Sequence, residues 1–232
     1  MKKTLLFMLL AVASSSAAFA QARPGGTMSS KDYTGGGTTD SRNTGFGIKG
    51  GYSLANFYGS GKDIFPGGRD NLNTFHAGAY GQLGFDSFSS VQVELLYSRK
   101  GIQTNNGSGS KSDLRLDYLS LPIMYVGNVT ENISFHIGPQ VSLLTKVLAN
   151  GKDLDLKEKG FNSIDFGGVA GLEARVGPAR LGARYDLGLG RVFKDGATYF
   201  KDIAGYNGSV TADNSSIHNQ TFQVYVGIGL TQ

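Results

Sequence analysis

The chain has 232 residues, with 22 Lys or Arg, 18 Asp or Glu and a formal net charge of +4. It contains no cysteine, which excludes disulfides, thiolate catalysis and cysteine-bound metal sites. With 35 glycines, five prolines and little helical periodicity, the composition predicts an all-β chain.

Residues 1–20 predict a secretory signal peptide. Lys2 and Lys3 precede the apolar run TLLFMLLAVA, and the segment ends in the A-x-A pattern Ala18-Phe19-Ala20. The run is too short to cross a bilayer core of roughly 30 Å, which disfavours a membrane anchor. Because cleavage would remove two lysines and no acid, the remaining charge is nearly balanced and indicates no nucleic-acid partner.

Residues 21–44 are rich in Gly, Ser and Thr and predict a flexible leader, whereas residues 45–232 predict a single barrel domain. Within that domain, eight segments alternate apolar and polar residues with period two. They run over about 45–57, 73–85, 89–102, 115–127, 131–147, 162–176, 179–193 and 219–231. Strands of about 10 residues can cross a membrane at a tilt.

The connections between these segments alternate in length. Short connections at 86–88, 128–130 and 177–178 separate long ones, and the long ones are 58–72, 103–114, 148–161 and 194–218. Outer-membrane barrels have tight periplasmic turns at one end and longer surface loops at the other. The sequence therefore predicts an all-β, eight-stranded antiparallel up-and-down transmembrane β-barrel in the outer membrane of a Gram-negative-type bacterium. A soluble lipocalin-like barrel is the alternative, and it would need an apolar interior.

In a membrane barrel the apolar phase of each strand faces lipid and the polar phase faces the interior. The charged residues on that polar phase are Lys49, Glu94, Asp165, Glu173, Arg175, Arg180, Arg184 and Asp186. An eight-stranded barrel has room inside only for side chains, and buried charges must pair. The four positive and four negative charges therefore predict a packed structural network, in which Arg184 is expected to pair with Glu173 across the tight turn.

His76 and His136 also fall on the interior phase and are expected to hydrogen-bond there. A Ser/His/acid lipid-modifying site using His136 is the alternative. No Asp, Glu or His spacing resembles a metal site, and no glycine cluster has the context of a phosphate loop. The sequence thus predicts no catalytic residue, no cofactor and no metal.

Ten aromatic residues are assigned to the lipid-facing phase, where they predict interfacial girdles. They are Phe46, Tyr52, Phe57, Phe75, Phe85, Tyr97, Tyr125, Phe135, Phe166 and Phe222.

Several segments also resemble a known family. They are FGIKGGYSLANF, VQVELLYSRKG, DYLSLPIMY, HIGPQVSLL and GLEARVGPARLGARYDLGLGRV. In this order they resemble the PorT-like, porin-family outer-membrane β-barrel proteins common in Bacteroidetes, over residues 45–232. By this resemblance, Glu94 and Lys100 match the acid and the base of the PELLYSxKG strand, and Pro122 matches the proline of YLEIPLL. Ser120 stands where that pattern usually has glutamate. The family tends to end in an aromatic residue, whereas the last aromatic here is Tyr225.

Three functions follow as hypotheses. The first is a structural or surface-interaction barrel without catalytic activity, contacting outer-membrane lipid and meeting extracellular or envelope partners through loop 194–218, which carries Tyr199, Phe200 and Tyr206. The second is a narrow porin-like channel for small solutes. The third is the lipid-modifying enzyme.

Overall fold

The computed structural model describes residues 43–60, 69–105, 111–154, 160–194, 198–199, 210–211 and 216–230. The predicted signal peptide, nearly all of the predicted leader, and Phe200 and Tyr206 of loop 194–218 lie outside these residues. No helix in the described part of the chain is long and apolar enough to cross a membrane.

Eight long strands account for most of the described residues. They are β1 (Gly45–Tyr58), β2 (Leu72–Gly84), β3 (Ser89–Asn105), β4 (Lys111–Asn128), β5 (Ile133–Ala149), β6 (Ile164–Val176), β7 (Ala179–Gly188) and β8 (His218–Gly229). Each pairs antiparallel with the strands before and after it in sequence, and β1 pairs with β8 from Gly47↔Gly229 to Tyr58↔His218. The sheet therefore closes into the up-and-down barrel that the sequence predicts.

Four short strands lie at the long-loop end. Arg69–Asp70 pairs with the end of β3, Lys152–Leu154 pairs with the end of β5, and Thr198–Tyr199 pairs with Val210–Thr211. Asn150 and Gly151 form the two-residue turn between β5 and Lys152–Leu154, with φ angles of 51° and 78°. Positive φ at both turn residues is what two-residue hairpins of type I′ require.

The strand bounds agree with the predicted segments to within a few residues, except at the end of β7. That strand was predicted to reach residue 193 but ends at Gly188. Beyond it the regular ladder gives way to an irregular stretch, in which the Leu189 and Gly190 N–H groups both donate to the Phe166 carbonyl oxygen, at 2.6 and 3.1 Å, and the Gly190 N–H also donates to Asp165 Oδ1 at 3.0 Å. The chain then continues alongside the segment before β6, where Phe161 and Phe193 form an isolated antiparallel bridge. The apolar residues Val192 and Phe193 are both buried in the barrel mouth, whereas a strand continued to residue 193 would have pointed Phe193 outward.

The three short connections lie at the opposite end, at residues 85–88, 129–132 and 177–178. Gly177 has a φ of 57°, which fits the glycine-first hairpin turns that match the strand twist. Asn43, a residue of the predicted leader, is buried against this end. Its side-chain amide donates to the carbonyl oxygens of Asp86 and Ser87 at 2.8 and 3.1 Å, and Arg175 Nη1 donates to its oxygen at 3.0 Å.

Toward the long loops, the inner face of the barrel wall changes from polar to apolar and the outer face changes from apolar to polar. In β4, Ser120 points inward and Leu121 outward, as in a membrane barrel. Nearer the long loops, Leu114 and Leu116 point inward and Arg115 is on the outer face, as in a water-soluble barrel. The period of two is unbroken in β4, so the exchange in this strand reflects the residues placed on each phase and not a slip of register.

A cluster of buried apolar side chains, which we call the cap, fills the barrel at the long-loop end. It consists of Phe57, Ile102, Leu114, Leu116, Tyr118, Leu144, Val147, Ala149, Phe161, Val192, Phe193 and Ile217. Strand residues form its wall, and Phe161, Val192, Phe193 and Ile217 close it from the connections outside the long strands. This cluster was not predicted from the sequence.

Candidate functional site

The candidate site is the polar interior between the cap and the short turns. All eight charged residues predicted to face inward do so: Lys49, Glu94, Asp165, Glu173, Arg184 and Asp186 are buried, and Arg175 and Arg180 are partly buried. They lie on four different strands, and each alternates with outward apolar neighbours. The structure therefore brings the predicted residues together inside the barrel.

Glu94 forms the centre of the site. Arg184 Nη1 donates to its Oε2 at 2.6 Å, and Lys49 Nζ forms an ion pair with its Oε1. Gln92 Nε2 also donates to Oε1 at 2.6 Å, and the Lys49 ammonium lies 4.3 Å from the centroid of the Tyr225 ring. One buried carboxylate is thus shared by two buried cations, which is the compensation that buried charge requires.

The partner predicted for Arg184 is wrong, because Arg184 pairs with Glu94 of β3 and not with Glu173 of β6. In the β6–β7 ladder Arg184 lies opposite Gly171, which has no side chain, while Glu173 lies opposite Gly182. The long arginine side chain therefore extends across the narrow interior. The Arg184 Nε donates to Gln223 Oε1 at 2.5 Å.

Glu173 instead binds the two arginines beside the Gly177-Pro178 turn. Arg180 Nη1 donates to Oε1 at 3.1 Å, and Arg175 Nε lies 3.5 Å from the same oxygen. The Tyr225 hydroxyl donates to Oε2 at 3.0 Å. Here too one carboxylate serves two cations.

A third group lies just below the cap. Lys100 Nζ is 2.8 Å from Asp186 Oδ2, and Gln140 Nε2 donates to the same oxygen at 2.9 Å. Asp165 accepts from Asn219 Nδ2 at 3.1 Å. Lys100 was absent from the predicted interior charges, although it continues the inward phase of Gln92 and Glu94 along β3. Extending the alternation by one more pair of residues would have found it.

The two interior histidines lie within hydrogen-bonding distance of polar side chains inside the barrel, as predicted, and the partner of each is a serine. His76 Nδ1 is 2.8 Å from Ser53 Oγ, and His136 Nε2 is 3.1 Å from Ser134 Oγ and 3.9 Å from Glu173 Oε1. His76 and His136 are only 1% and 3% exposed, so both pairs lie inside the barrel and away from its outer face. Among the described residues, no group of three or more His, Asp or Glu side chains could hold a metal ion.

The outer face carries the predicted aromatic residues, with one exception. Phe46, Tyr52, Phe75, Phe85, Tyr125, Phe166 and Phe222 are exposed, and Tyr97 and Phe135 are partly exposed. Phe57 was assigned to this face, but it is 1% exposed and belongs to the cap. It stands an odd number of residues from Phe46 in one unbroken strand, so the two must point to opposite faces.

One ion pair on the outer face lies at the level where that face changes from apolar to polar. Arg99 donates to Asp117 through Nε at 2.7 Å and through Nη2 at 3.1 Å, and Nη2 also donates to the Tyr97 hydroxyl at 3.1 Å. A bulge in β5 lies beside it, because Asp117 pairs with Lys146 while Tyr118 pairs with Leu144. Between this level and the short turns, the outer face is mainly apolar.

A shallow groove of about 650 Å³ also lies on the outer face. Its outward-facing lining comes from β1, β5, β6, β7 and β8 and includes Gly50, Ile133, Leu172, Leu181 and Val226. The groove is mainly apolar and continuous with the rest of the outer face.

The family described as "Outer membrane protein beta-barrel domain" matches residues 19–194. Among solved structures, the chain is similar to Ail, the attachment invasion locus protein of Yersinia pestis, with 15% identity and a TM-score of 0.44 over 81% of this chain and 99% of that chain. Neisserial surface protein A is similar with 15% identity and a TM-score of 0.46, over 79% of this chain and 96% of that chain. The outer membrane protein OprG from Pseudomonas aeruginosa is similar with 13% identity and a TM-score of 0.43, over 83% of this chain and 100% of that chain. No curated protein matches the sequence.

Proposed function

Because this chain belongs to the family of outer-membrane β-barrel domains, we propose that it is a closed barrel acting as a structural or surface-interaction protein without catalytic activity. Barrels of this family are anchored by lipid around their apolar outer face. What such a barrel can do beyond anchoring depends on whether its interior is open and on what its long loops present.

The observation that carries the proposal is the closure of the interior by two successive layers. The polar layer is filled by ion-paired side chains, and those of Lys49 and Glu94 are 1% and 0% exposed. The cap lies above it and is apolar, and a hydrophobic constriction opposes the passage of water and ions. A solute would have to break buried ion pairs and also cross the cap, which argues against the porin-like channel.

The lipid-modifying enzyme is also disfavoured by geometry. A lipid substrate reaches the barrel from its outer face, whereas the Ser134–His136 contact is buried in the interior. A catalytic serine and histidine must reach the bond that they cleave. Nothing beside His136 provides such a path in the described residues, since its neighbours Ser134 and Glu173 are also buried.

Interaction with partners is assigned to the long-loop end, because lipid covers the apolar wall in a membrane barrel. Segment 194–218 is the longest of the predicted long connections. Its described residues include the paired strands Thr198–Tyr199 and Val210–Thr211. We propose that extracellular or envelope proteins bind there.

Conductance across planar bilayers tests the closed interior. The refolded full chain is expected to show no stepwise conductance under conditions in which a large porin conducts. The variant Phe57→Ser/Leu116→Ser, which makes the cap polar, is also expected to remain closed because the ion-paired layer lies beneath it. Discrete channels in the unmodified protein would replace this proposal with the channel.

Phospholipid hydrolysis by the refolded barrel tests the absence of catalysis. No release of fatty acid is expected from the unmodified protein or from His136→Ala. Hydrolysis that is present in the first and lost in the second would establish the enzyme instead.

A further inference from the structure

The charges of the interior are unevenly distributed along the barrel axis. Toward the short turns, Lys49 and Arg184 share Glu94, and Arg175 and Arg180 share Glu173. Toward the cap, Lys100 faces two carboxylates, Asp165 and Asp186. The half near the short turns therefore has four cations and two carboxylates. Buried charge without compensation is costly, so this half has a deficit of negative charge.

Arg175 has unused hydrogen-bond donors on the side of the guanidinium best suited to an anion. Its Nη1 donates to Asn43 Oδ1, but its Nε and Nη2 are buried and donate no hydrogen bond. The Nε contact with Glu173 Oε1, at 3.5 Å, is close enough for charge attraction but lacks hydrogen-bond geometry. Elsewhere in this barrel the same pair of nitrogens, on Arg99, holds the Asp117 carboxylate with two bonds.

Arg175 lies near the short-turn mouth, and part of its side chain, although not Nε or Nη2, reaches solvent there. Arg175 lies directly opposite Arg180 in the β6–β7 ladder, one residue pair from the last pair before the Gly177-Pro178 turn. Both arginine side chains are 12% exposed, whereas those of Lys49 and Glu94 are essentially sealed. In an outer-membrane barrel the short turns face the periplasm. Any ion that reaches these arginines through the short-turn end therefore comes from that side.

We propose that the short-turn mouth of the barrel is a binding site for an oxyanion, a phosphate or carboxylate group held by Arg175 and Arg180. The free Nε and Nη2 of Arg175 would donate to two oxygens of one group, the bidentate geometry that guanidinium prefers. Arg180 would add charge from the opposite strand. The anion would supply the negative charge that Glu173 alone does not. The site depends on the barrel fold and is independent of whether solutes cross the interior.

Thermal unfolding of the refolded full chain in detergent, followed by its heat-modifiable migration, provides the test. The probe is inorganic phosphate, compared with chloride at the same ionic strength. Phosphate is expected to raise the unfolding midpoint of the unmodified barrel in a saturable way, since a ligand that binds only the folded state stabilises it by mass action. The increase is expected to disappear in Arg175→Gln and to persist in Arg115→Gln, which removes an arginine from the outer face. In chloride, Arg175→Gln is expected to unfold at or above the midpoint of the unmodified protein.

Two further comparisons decide the outcome. Arg175→Lys keeps the charge but loses the paired donors, so it is expected to weaken the phosphate effect about tenfold if the bidentate contact is real. If Arg175→Gln does not refold, Arg175→Lys replaces it as the variant that tests the site. A saturable effect of the same size in Arg175→Gln and Arg115→Gln would overturn the site, and so would a midpoint that does not distinguish phosphate from chloride.

Discussion

At the scale of single residues, the interior is organised by how many cations share each carboxylate. Glu94 is the clearest case, because it lies between Lys49 and Arg184 and all three side chains are buried. Removing the carboxylate leaves two facing cations, whereas removing one cation leaves a simple ion pair. The roles of the two partners are therefore unequal.

This inequality gives a prediction for unfolding. Glu94→Gln should lower the free energy of unfolding by about 3–5 kcal/mol, the usual cost of breaking a buried pair from one side. Arg184→Met should cost clearly less, since Lys49 still neutralises Glu94. Combining the two substitutions should recover part of the loss of Glu94→Gln, because only one cation then remains. Denaturant titration of the refolded barrel measures all three, and Glu131→Gln in an exposed turn is the matched control.

An equal or reversed order for Glu94→Gln and Arg184→Met would contradict this sharing. If Arg184→Met left the unfolding midpoint unchanged and opened an ion conductance, Arg184 would be part of a gated path and not a structural partner.

A second prediction concerns the turn between β2 and β3. Asp86 Oδ1 accepts from the N–H groups of Phe88 and Ser89 at 2.8 and 2.6 Å, and Oδ2 accepts from Ser89 Oγ at 2.9 Å. These bonds, led by the Ser89 hydroxyl, lower the pKa of Asp86 from its ordinary value of 3.8. A carboxyl with a lowered pKa in the folded state stabilises the fold above its ordinary pKa and loses that contribution as pH falls.

Asp86→Ala should therefore lower the thermal midpoint most near neutral pH, and the difference from the unmodified protein should shrink as pH falls through the carboxyl range. Ser87→Ala is the control, because the Ser87 backbone carbonyl still accepts from Asn43. A difference that is constant from pH 7 to strongly acid conditions would show that ionisation of Asp86 does not matter to the turn.

At the scale of the strand, the same alternation supports two kinds of barrel. The lower part of β4 has an apolar outer face, and the upper part has a polar outer face beginning at Asp117. Arg99 and Asp117 are paired across β3 and β4 at this level, and the Tyr97 hydroxyl contacts them. We infer that the outer boundary of the membrane lies here, since tyrosines and charged side chains collect at that boundary.

This boundary predicts that the same substitution costs more at an outward position below the boundary than at one above it. Leu121→Arg, below the boundary, should cost about 2–4 kcal/mol in lipid, whereas Leu148→Arg, above it, should cost about 0–1 kcal/mol. Both residues are leucines on the outer phase of neighbouring strands, so each controls for the other. Unfolding from bilayers by denaturant measures the difference, and equal penalties would place the boundary elsewhere.

At the scale of the molecule, closure of eight strands produces a structure that has no free sheet edge along its wall. Such barrels keep their shape in mild detergent until they are heated. The protein should therefore fractionate with the outer membrane and migrate differently before and after boiling. A soluble periplasmic protein from the same cells is the control for fractionation. Recovery of this chain in the soluble periplasm would instead favour the lipocalin-like barrel.

Strand number, strand facing and turn positions could be predicted from the sequence because they depend on local patterns. A residue at i and a residue at i+2 share a face whatever the rest of the fold does. Leu121, Ser120 and the eight interior charges were placed correctly on this basis alone. Phe57 was not, and the reason was a miscounted phase in one strand and not a failure of the pattern.

What the sequence determined by itself is thus which side chains enter the barrel, while the tertiary structure alone decided which of them meet. Arg184 and Glu94 are 90 residues apart and lie on strands that do not pair. Their contact depends on the width and stagger of the closed barrel, which no local pattern records. The cap likewise joins strand ends to Phe161 and Ile217, which lie outside every alternating segment, and to Phe193, which lies at the end of one; all three are buried where the chain crosses the barrel mouth.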